Sequence, residues 1–105
     1  MKIAYARRAL RDIGEILAYV QERSPRGARS VSVAIEHAIQ ACAHNPRATG
    51  RTDEPNVYRR PLGKYRYTIS YRTLPNDEGI EVVRVVRSGR VRNLGRTPDD
   101  DKPPM

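Results

Sequence analysis

Apolar residues recur every three or four positions near the start of the chain, which is the spacing of an amphipathic helix. The stripe comprises Leu10, Ile13, Ile16, Leu17 and Val20. Polar residues fill the intervening positions, and we expect two of them, Asp12 and Glu15, to face solvent. The pair Ser24 and Pro25 then marks a boundary, because Ser favours the N-cap of a helix and Pro its first turn.

A second apolar stripe with helical spacing follows this boundary. It comprises Val31, Ala34, Ile35, Ala38, Ile39 and Cys42. The helix is predicted to end before Asn45, because Pro46 pushes the residue before it out of the helical region. Two helices joined by so short a segment run antiparallel as an αα-hairpin. Cys42 closes the stripe as a small core residue, whereas His37 and His44 are expected at exposed or cap positions rather than as ligands.

The period of the apolar pattern changes to two after a polar connector at 45–56, which indicates strands. Residues 2–5 and 57–62 are predicted strands, and a turn at 75–79 closes a hairpin onto residues 80–86. The strand before that turn has Tyr65, Tyr67, Ile69 and Tyr71 on one face and Arg66, Thr68, Ser70 and Arg72 on the other. The last strand is apolar on both faces, as expected of a central strand.

The predicted order is therefore β-α-α-β-β-β, an α+β fold in which the αα-hairpin packs on one face of a small antiparallel sheet. The other face of the sheet would be open to solvent or to a partner. We assign residues 1–96 to a single domain, since a chain of 105 residues leaves no room for a second. Residues 97–105 are polar and rich in proline and aspartate, so we predict a flexible tail.

The net charge of +8 comes from 20 Lys and Arg against 12 Asp and Glu, and it predicts attraction to nucleic acid, a membrane surface or an acidic protein. No acid interrupts the basic residues between positions 58 and 72 or between 84 and 96. A solvated sheet edge is the usual meaning of such runs. One cysteine and two histidines at no zinc-binding spacing predict neither a disulfide nor a metal or other cofactor. Without a membrane-spanning run or a signal peptide, we expect a cytoplasmic protein.

Five short segments stand in a fixed order along the chain. They are ALRDI with ILAYV at 9–20, SPR with Ala28 at 24–28, NP with GR at 45–51, YTISYR at 67–72 and VVRVVRSGR at 82–90. This series, covering roughly residues 5 to 92, resembles the toxins of the RelE/ParE superfamily, which belong to bacterial type II toxin–antitoxin systems. The resemblance implies a growth-inhibiting toxin that is held inactive when an extended segment of its cognate antitoxin wraps it.

The superfamily divides by activity, and the residues of this chain favour one branch. RelE-type members cut mRNA on the ribosome, which requires an acid, a base and cations around the phosphate. Aligned without a gap through Tyr67 and Tyr71, the RelE-type catalytic arginine falls on Thr68, whereas an alignment through Tyr65 and Arg66 restores an arginine but needs two extra residues before Tyr71. We prefer the ungapped alignment. Arg87 replaces the histidine of the closing motif, and no tyrosine follows residue 71. The resemblance therefore favours a ParE-like toxin, which poisons DNA gyrase and is not an enzyme.

Two alternatives remain beside the ParE-like interpretation. A RelE-like, metal-independent endoribonuclease would place its chemistry on Lys64, Arg66, Arg87 and Arg90, with the ribosome and mRNA as partners. A non-toxic binding or regulatory protein with the toxin fold is the other.

The segments that the superfamily uses for contact with target or antitoxin are basic in this chain. The expected contact residues are Arg59, Arg60, Lys64, Arg66, Arg84, Arg87, Arg90 and Arg92. A basic sheet edge suits an acidic antitoxin tail that adds a strand. Tyr65 and Tyr67 alternate with Ile69, so we assign them to core packing rather than to base stacking.

Overall fold

The computed structural model describes residues 2–48 and 50–88, and its element order follows the sequence prediction. The elements are β1 (Lys2–Tyr5), α1 (Arg7–Arg23), α2 (Pro25–His44), β2 (Gly50–Arg51), β3 (Val57–Pro61), β4 (Tyr67–Thr73), a 3-10 turn (Pro75–Asp77) and β5 (Gly79–Arg87). The two-residue strand β2, inside the predicted connector, is the addition to the expected order. The tail predicted at 97–105 lies outside the described residues.

The two helices meet at the predicted boundary. The Ser24 hydroxyl accepts a hydrogen bond from the Gly27 amide at 2.9 Å, and Pro25 occupies the first helical position, so both start signals of α2 are used. No side chain caps the start of α1. Within the described residues, neither helix is long and apolar enough to cross a membrane.

The five strands form one sheet in the order β1-β5-β4-β3-β2. All neighbours are antiparallel except β1 and β5, which run parallel, so the predicted antiparallel sheet is in fact mixed. The prediction that the last strand is central is confirmed, because β5 lies between β1 and β4. A Cβ at Gly79 would lie 1.8 Å from the Lys2 carbonyl oxygen, so only glycine allows the two strands this close at that point.

The core lies between the αα-hairpin and the sheet. It combines the predicted stripe of α2 with residues of β3, β4 and β5, and the largest fully buried side chain is Tyr71. The Tyr71 ring stacks on Tyr58 with centroids 5.6 Å apart, and its hydroxyl donates to the Pro46 carbonyl at 2.6 Å. The Tyr71 ring thus fills space in the core as a phenylalanine would, and its hydroxyl also links the connector to the sheet by a hydrogen bond.

The face of β4 that points away from this core is less open than predicted. Thr68 and Ser70 lie on that face, yet they are only 1% and 4% exposed. The Thr68 hydroxyl is within hydrogen-bond distance of the Ser88 hydroxyl, at 3.0 Å. Arg72, further along the same face of β4, is exposed and forms an ion pair with Glu81 of β5. The expectation of an open outer face is therefore wrong at the middle of this strand.

Candidate functional site

The expectation that Asp12 faces solvent is wrong. Asp12 lies on α1 but is only 6% exposed, and its Oδ2 accepts from Arg84 Nε at 2.8 Å and from the Val85 amide at 3.0 Å. Its Oδ1 accepts a longer bond from Arg8, at 3.4 Å. Three donors thus converge on one carboxylate, which joins the first helix to the last strand.

The reason for this contact lies in the unequal lengths of β1 and β5. The last backbone link between this end of β1 and β5 is the Ala6 amide to the Val82 carbonyl, at 2.9 Å, whereas β5 continues to Arg87. The Val85 amide therefore has no β1 residue opposite it, and α1 crosses there instead. A buried amide needs an acceptor, which the Asp12 carboxylate provides.

Two neighbouring grooves flank this end of the sheet. The first, which we call the Asp12 groove, encloses about 260 Å³ between α1 and the ends of β4 and β5. It is lined by Arg8, Asp12, Glu15, Ile16, Tyr19, Tyr67, Arg84, Val85, Val86 and Arg87. Its charges are mixed, and Asp12 and Arg84 are already engaged with each other.

The second, which we call the Tyr65 groove, encloses about 540 Å³ where the start of α2 meets the segment between β3 and β4. It is lined by Val20, Ser24, Arg26, Gly27, Ser30, Val31, Lys64, Tyr65, Arg66 and Tyr67. Among these described residues the charged side chains are all basic. Tyr67 lines both grooves, so the two form adjoining surfaces.

The basic residues singled out from the sequence fall into groups with different surroundings. Lys64 and Arg66 are exposed and line the Tyr65 groove, while Arg87 is exposed in the Asp12 groove. The Arg66 carbonyl accepts from the Ser88 amide at 2.9 Å, and Tyr67 pairs with Arg87, so both grooves adjoin one end of the β4–β5 ladder.

Arg84 and Arg60 have surroundings that the sequence did not indicate. Arg84 is held by Asp12, and Arg60 on β3 has a buried Nε without a hydrogen-bond partner in the described part of the chain. Arg59 precedes Arg60 on β3, where it is half-buried. Arg90 and Arg92 lie outside the described residues.

Several other candidate groups are placed away from these grooves. Cys42 is fully buried, which confirms it as a core residue, and this burial raises the pKa of its thiol, although the charge of Arg60 and a hydrogen bond with Tyr71 act in the opposite direction. His37 and His44 are exposed on α2, as expected. No cluster of three His, Cys, Asp or Glu that would suit a metal ion occurs within residues 2–48 and 50–88.

The position that matters most for nuclease chemistry is Thr68. Its side chain is buried, and its hydroxyl is within hydrogen-bond distance of the Ser88 hydroxyl. Tyr67 lies opposite Arg87 in the β4–β5 ladder and is partly buried against the core. The predicted core role of Tyr65 and Tyr67 holds in part, since both pack against the core and also line a groove.

Comparison with known proteins agrees with this architecture. A solved structure of the chromosomal ParDE toxin–antitoxin system from P. aeruginosa superposes with a TM-score of 0.70 at 19% identity, covering 83% of this chain and 95% of that one. The isolated E. coli RelE toxin superposes with a TM-score of 0.59 at 17% identity, covering 82% of each chain. At such low identity these two matches show a shared fold. No curated protein sequence gives a significant match.

A comparison with models of protein families identifies the family of this chain. The model described as the ParE toxin of the type II toxin–antitoxin system parDE matches residues 3–92. This span includes all five predicted motifs and every strand and helix described above, apart from the first residue of β1. The chain belongs to the ParE toxin family of type II toxin–antitoxin systems.

Proposed function

We propose that this protein inhibits growth by binding DNA gyrase and that a cognate antitoxin neutralises it. The observation that supports gyrase over mRNA is the state of Thr68, which is buried and bonded to Ser88 within a chain that matches the ParE family. A metal-free nuclease needs proton-transfer groups and cations around the phosphate, and the buried Thr68 presents neither to a substrate. Gyrase acts in the bacterial cytoplasm, so we place the action of the toxin there.

The proposed mechanism is protein–protein contact through the basic residues at the end of the sheet. Arg87 is exposed in the Asp12 groove and forms no ion pair within the described residues, so its guanidinium is available to a carboxylate or phosphate. Arg66 lies just across the β4–β5 ladder. A positive surface of this kind steers an acidic partner into contact and then holds it.

The direct test is a supercoiling and cleavage assay with purified gyrase. We expect the wild-type protein to inhibit supercoiling, and Arg87→Glu to need about tenfold more protein for the same inhibition, as for reversal of an interface charge. Arg11→Glu is the matched control, because Arg11 is exposed on α1 and lines neither groove. If gyrase is unaffected while expression of the chain still arrests growth, gyrase is not the target.

A RelE-like endoribonuclease is the second candidate, because Lys64, Arg66 and Arg87 are brought to the same end of the sheet. Such a cluster would stabilise the charge of a phosphorane. Primer extension on translated mRNA after induction distinguishes the two functions. Cleaved mRNA that becomes intact on Arg66→Ala would favour the nuclease, whereas intact mRNA during growth arrest excludes it.

A further inference from the structure

Three exposed cations lie at the end of the sheet where β5 stops, and the sequence beyond β5 carries an acidic run. The cations are Lys64, Arg66 and Arg87, which we call the basic end. The acidic run consists of three consecutive aspartates, at 99–101. We propose that this run docks reversibly on the basic end of its own chain and shields it from the target. The shielding rests on the proposed function, whereas the docking does not.

The basic end has an excess of positive charge. Lys64, Arg66 and Arg87 form no ion pair within residues 2–48 and 50–88. Two carboxylates line the adjoining grooves, and one of them, Asp12, is buried in the contacts described above. The other, Glu15, forms no ion pair in the same part of the chain. The excess charge at this end of the sheet therefore attracts an acidic segment.

The acidic run is tethered beside the basic end. Ser88, the last described residue, donates its amide to the Arg66 carbonyl at 2.9 Å, and Tyr67 pairs with Arg87 in the same ladder. Asp99 follows Ser88 by eleven positions. A chain of that length spans at most about 36–40 Å, so the aspartates can reach all three cations. A short tether of this kind holds its end group at an effective concentration on the order of millimolar.

The chemistry of the two partners is complementary. Guanidinium and ammonium groups donate charge-assisted hydrogen bonds to carboxylates, and arginine can bind one carboxylate with both arms. Lys64 and Arg66 precede β4 while Arg87 ends β5, so a run of three acids can contact cations of two neighbouring strands at once. Each exposed ion pair is weak by itself. The docking is therefore reversible, and an acidic partner that binds the same cations more tightly displaces it.

The nearest alternative partners of the acidic run are the arginines between it and β5, which are Arg90, Arg92 and Arg96. Charged residues three or four positions apart meet when they lie on one helical turn. Pro98 stands between Arg96 and the run, and a proline disfavours the helical conformation of the residue before it. The sequence thus disfavours local pairing with Arg96. The basic end is held on paired strands, so its cations lose less freedom when they are bound.

Docking of the acidic run would cover the cations that the proposed contact with gyrase uses. The target can bind only the molecules in which the run has left the basic end. The apparent affinity for the target is therefore reduced in proportion to the uncovered fraction of the protein. The run would thus act as an inhibitory segment of the toxin itself, and salt would relieve the inhibition by screening the contact.

The docking is tested with a nitroxide at position 103 and the amide signals of the isotope-labelled full chain. Pro103→Cys leaves every charge in place, and Cys42 is fully buried, so the introduced thiol is the one that reacts. We expect the nitroxide to broaden the amide signals of the basic end. The broadening is expected to disappear at about 1 M salt, where the Debye length is about 3 Å. It is also expected to disappear in the triple variant Asp99→Asn/Asp100→Asn/Asp101→Asn.

Two further variants decide whether the contact is specific. Glu22→Gln/Glu36→Gln/Asp53→Asn makes the same change in net charge at exposed positions outside both grooves and is expected to keep the broadening. Lys64→Gln/Arg66→Gln is expected to remove it at Arg87 as well, because the docking surface is lost. Equal broadening with and without the aspartates would show a tether without docking and would overturn the inference. Broadening that requires the aspartates but survives Lys64→Gln/Arg66→Gln would overturn it too, because the run would then pair elsewhere.

The supercoiling assay connects the docking with the proposed function. We expect the triple asparagine variant to inhibit purified gyrase at about a threefold lower concentration than the wild type, as when the run covers the basic end for about two thirds of the time. The charge-matched control is expected to inhibit as the wild type does. Equal inhibition by all three proteins would overturn the shielding. If none of them inhibits gyrase while the broadening is as expected, the proposed function fails and the docking stands.

Discussion

At the scale of single residues, the buried carboxylate of Asp12 is the contact that the sequence did not reveal. Helical spacing alone contained a signal, because Asp12 follows the fully buried Ala9 by three positions and precedes Ile16 by four. What overrode that signal was the ordinary preference of aspartate for solvent. The Val85 amide needs the Asp12 carboxylate as acceptor only because β5 extends beyond the end of β1. Asp12 and Val85 are more than seventy positions apart in the sequence, so no local pattern indicates their contact.

We expect Asp12→Asn to lower the free energy of unfolding by about 3 kcal/mol, near the lower end for breaking a buried ion pair. The Arg84 side chain retains 27% exposure, so water compensates part of the lost partner. Urea denaturation followed by circular dichroism measures the change. Glu15→Gln, on the exposed surface of the same helix, serves as the control and is expected to shift stability by less than about 0.5 kcal/mol. Equal effects of the two changes would show that the carboxylate is not a structural link.

At the scale of elements, the sequence predicts the helices better than the sheet. Periodicity, the Ser24–Pro25 start and the Asn45–Pro46 stop are local signals, and the structure confirms the helical hairpin. The place of β1 beside β5 is not local, because nothing within residues 2–5 says which strand they will join. The outer face of β4 was mispredicted for a related reason, since alternation indicates which residues share a face but not what covers it.

Two glycines give a paired test of the parallel β1–β5 contact. Gly79→Ala is expected to destabilise the fold by about 3 kcal/mol, the upper part of the usual range, because the new methyl group collides with the Lys2 carbonyl. Gly14→Ala is the same chemical change inside α1, where nothing lies within 4 Å, and it should stabilise by about 0.5–1 kcal/mol. Thermal unfolding of both variants provides the measurement. Opposite signs are the expected result, and a harmless Gly79→Ala would contradict the tight pairing.

At the scale of the whole molecule, charge and family membership could be predicted from the sequence, whereas the site was only partly predictable. Lys64, Arg66 and Arg87 do lie at one end of the sheet, yet Arg84 is engaged by Asp12 and Arg60 has its Nε buried. The Tyr65 groove was missed because it joins the end of α1 and the start of α2 to a segment more than thirty residues further along the chain. A list of basic positions does not distinguish a side chain that holds the fold from one that faces a partner.

Binding of the antitoxin is expected to change the stability of the whole molecule. We expect saturation with the antitoxin, at about a hundred times its dissociation constant, to raise the free energy of unfolding by about 2.7 kcal/mol. For a domain of this size that corresponds to a rise in melting temperature of roughly 10–20 °C. Differential scanning fluorimetry of the chain alone and of the complex gives the comparison. An unchanged melting temperature would contradict a partner that binds the folded toxin.

The pairing of the first strand with the last sets the order of events during synthesis. Lys2 is added to the chain long before Gly79, and at about 5–20 residues per second the interval between the two additions is about 4–15 s. Throughout that interval β1 has no partner strand. Val85, whose amide donates a hydrogen bond to Asp12, has not yet been added either. The nascent chain is therefore without its complete sheet until β5 has been synthesised. Under the proposed function, this topology gives the cell a delay during which an antitoxin that is already present would meet the protein before it becomes active.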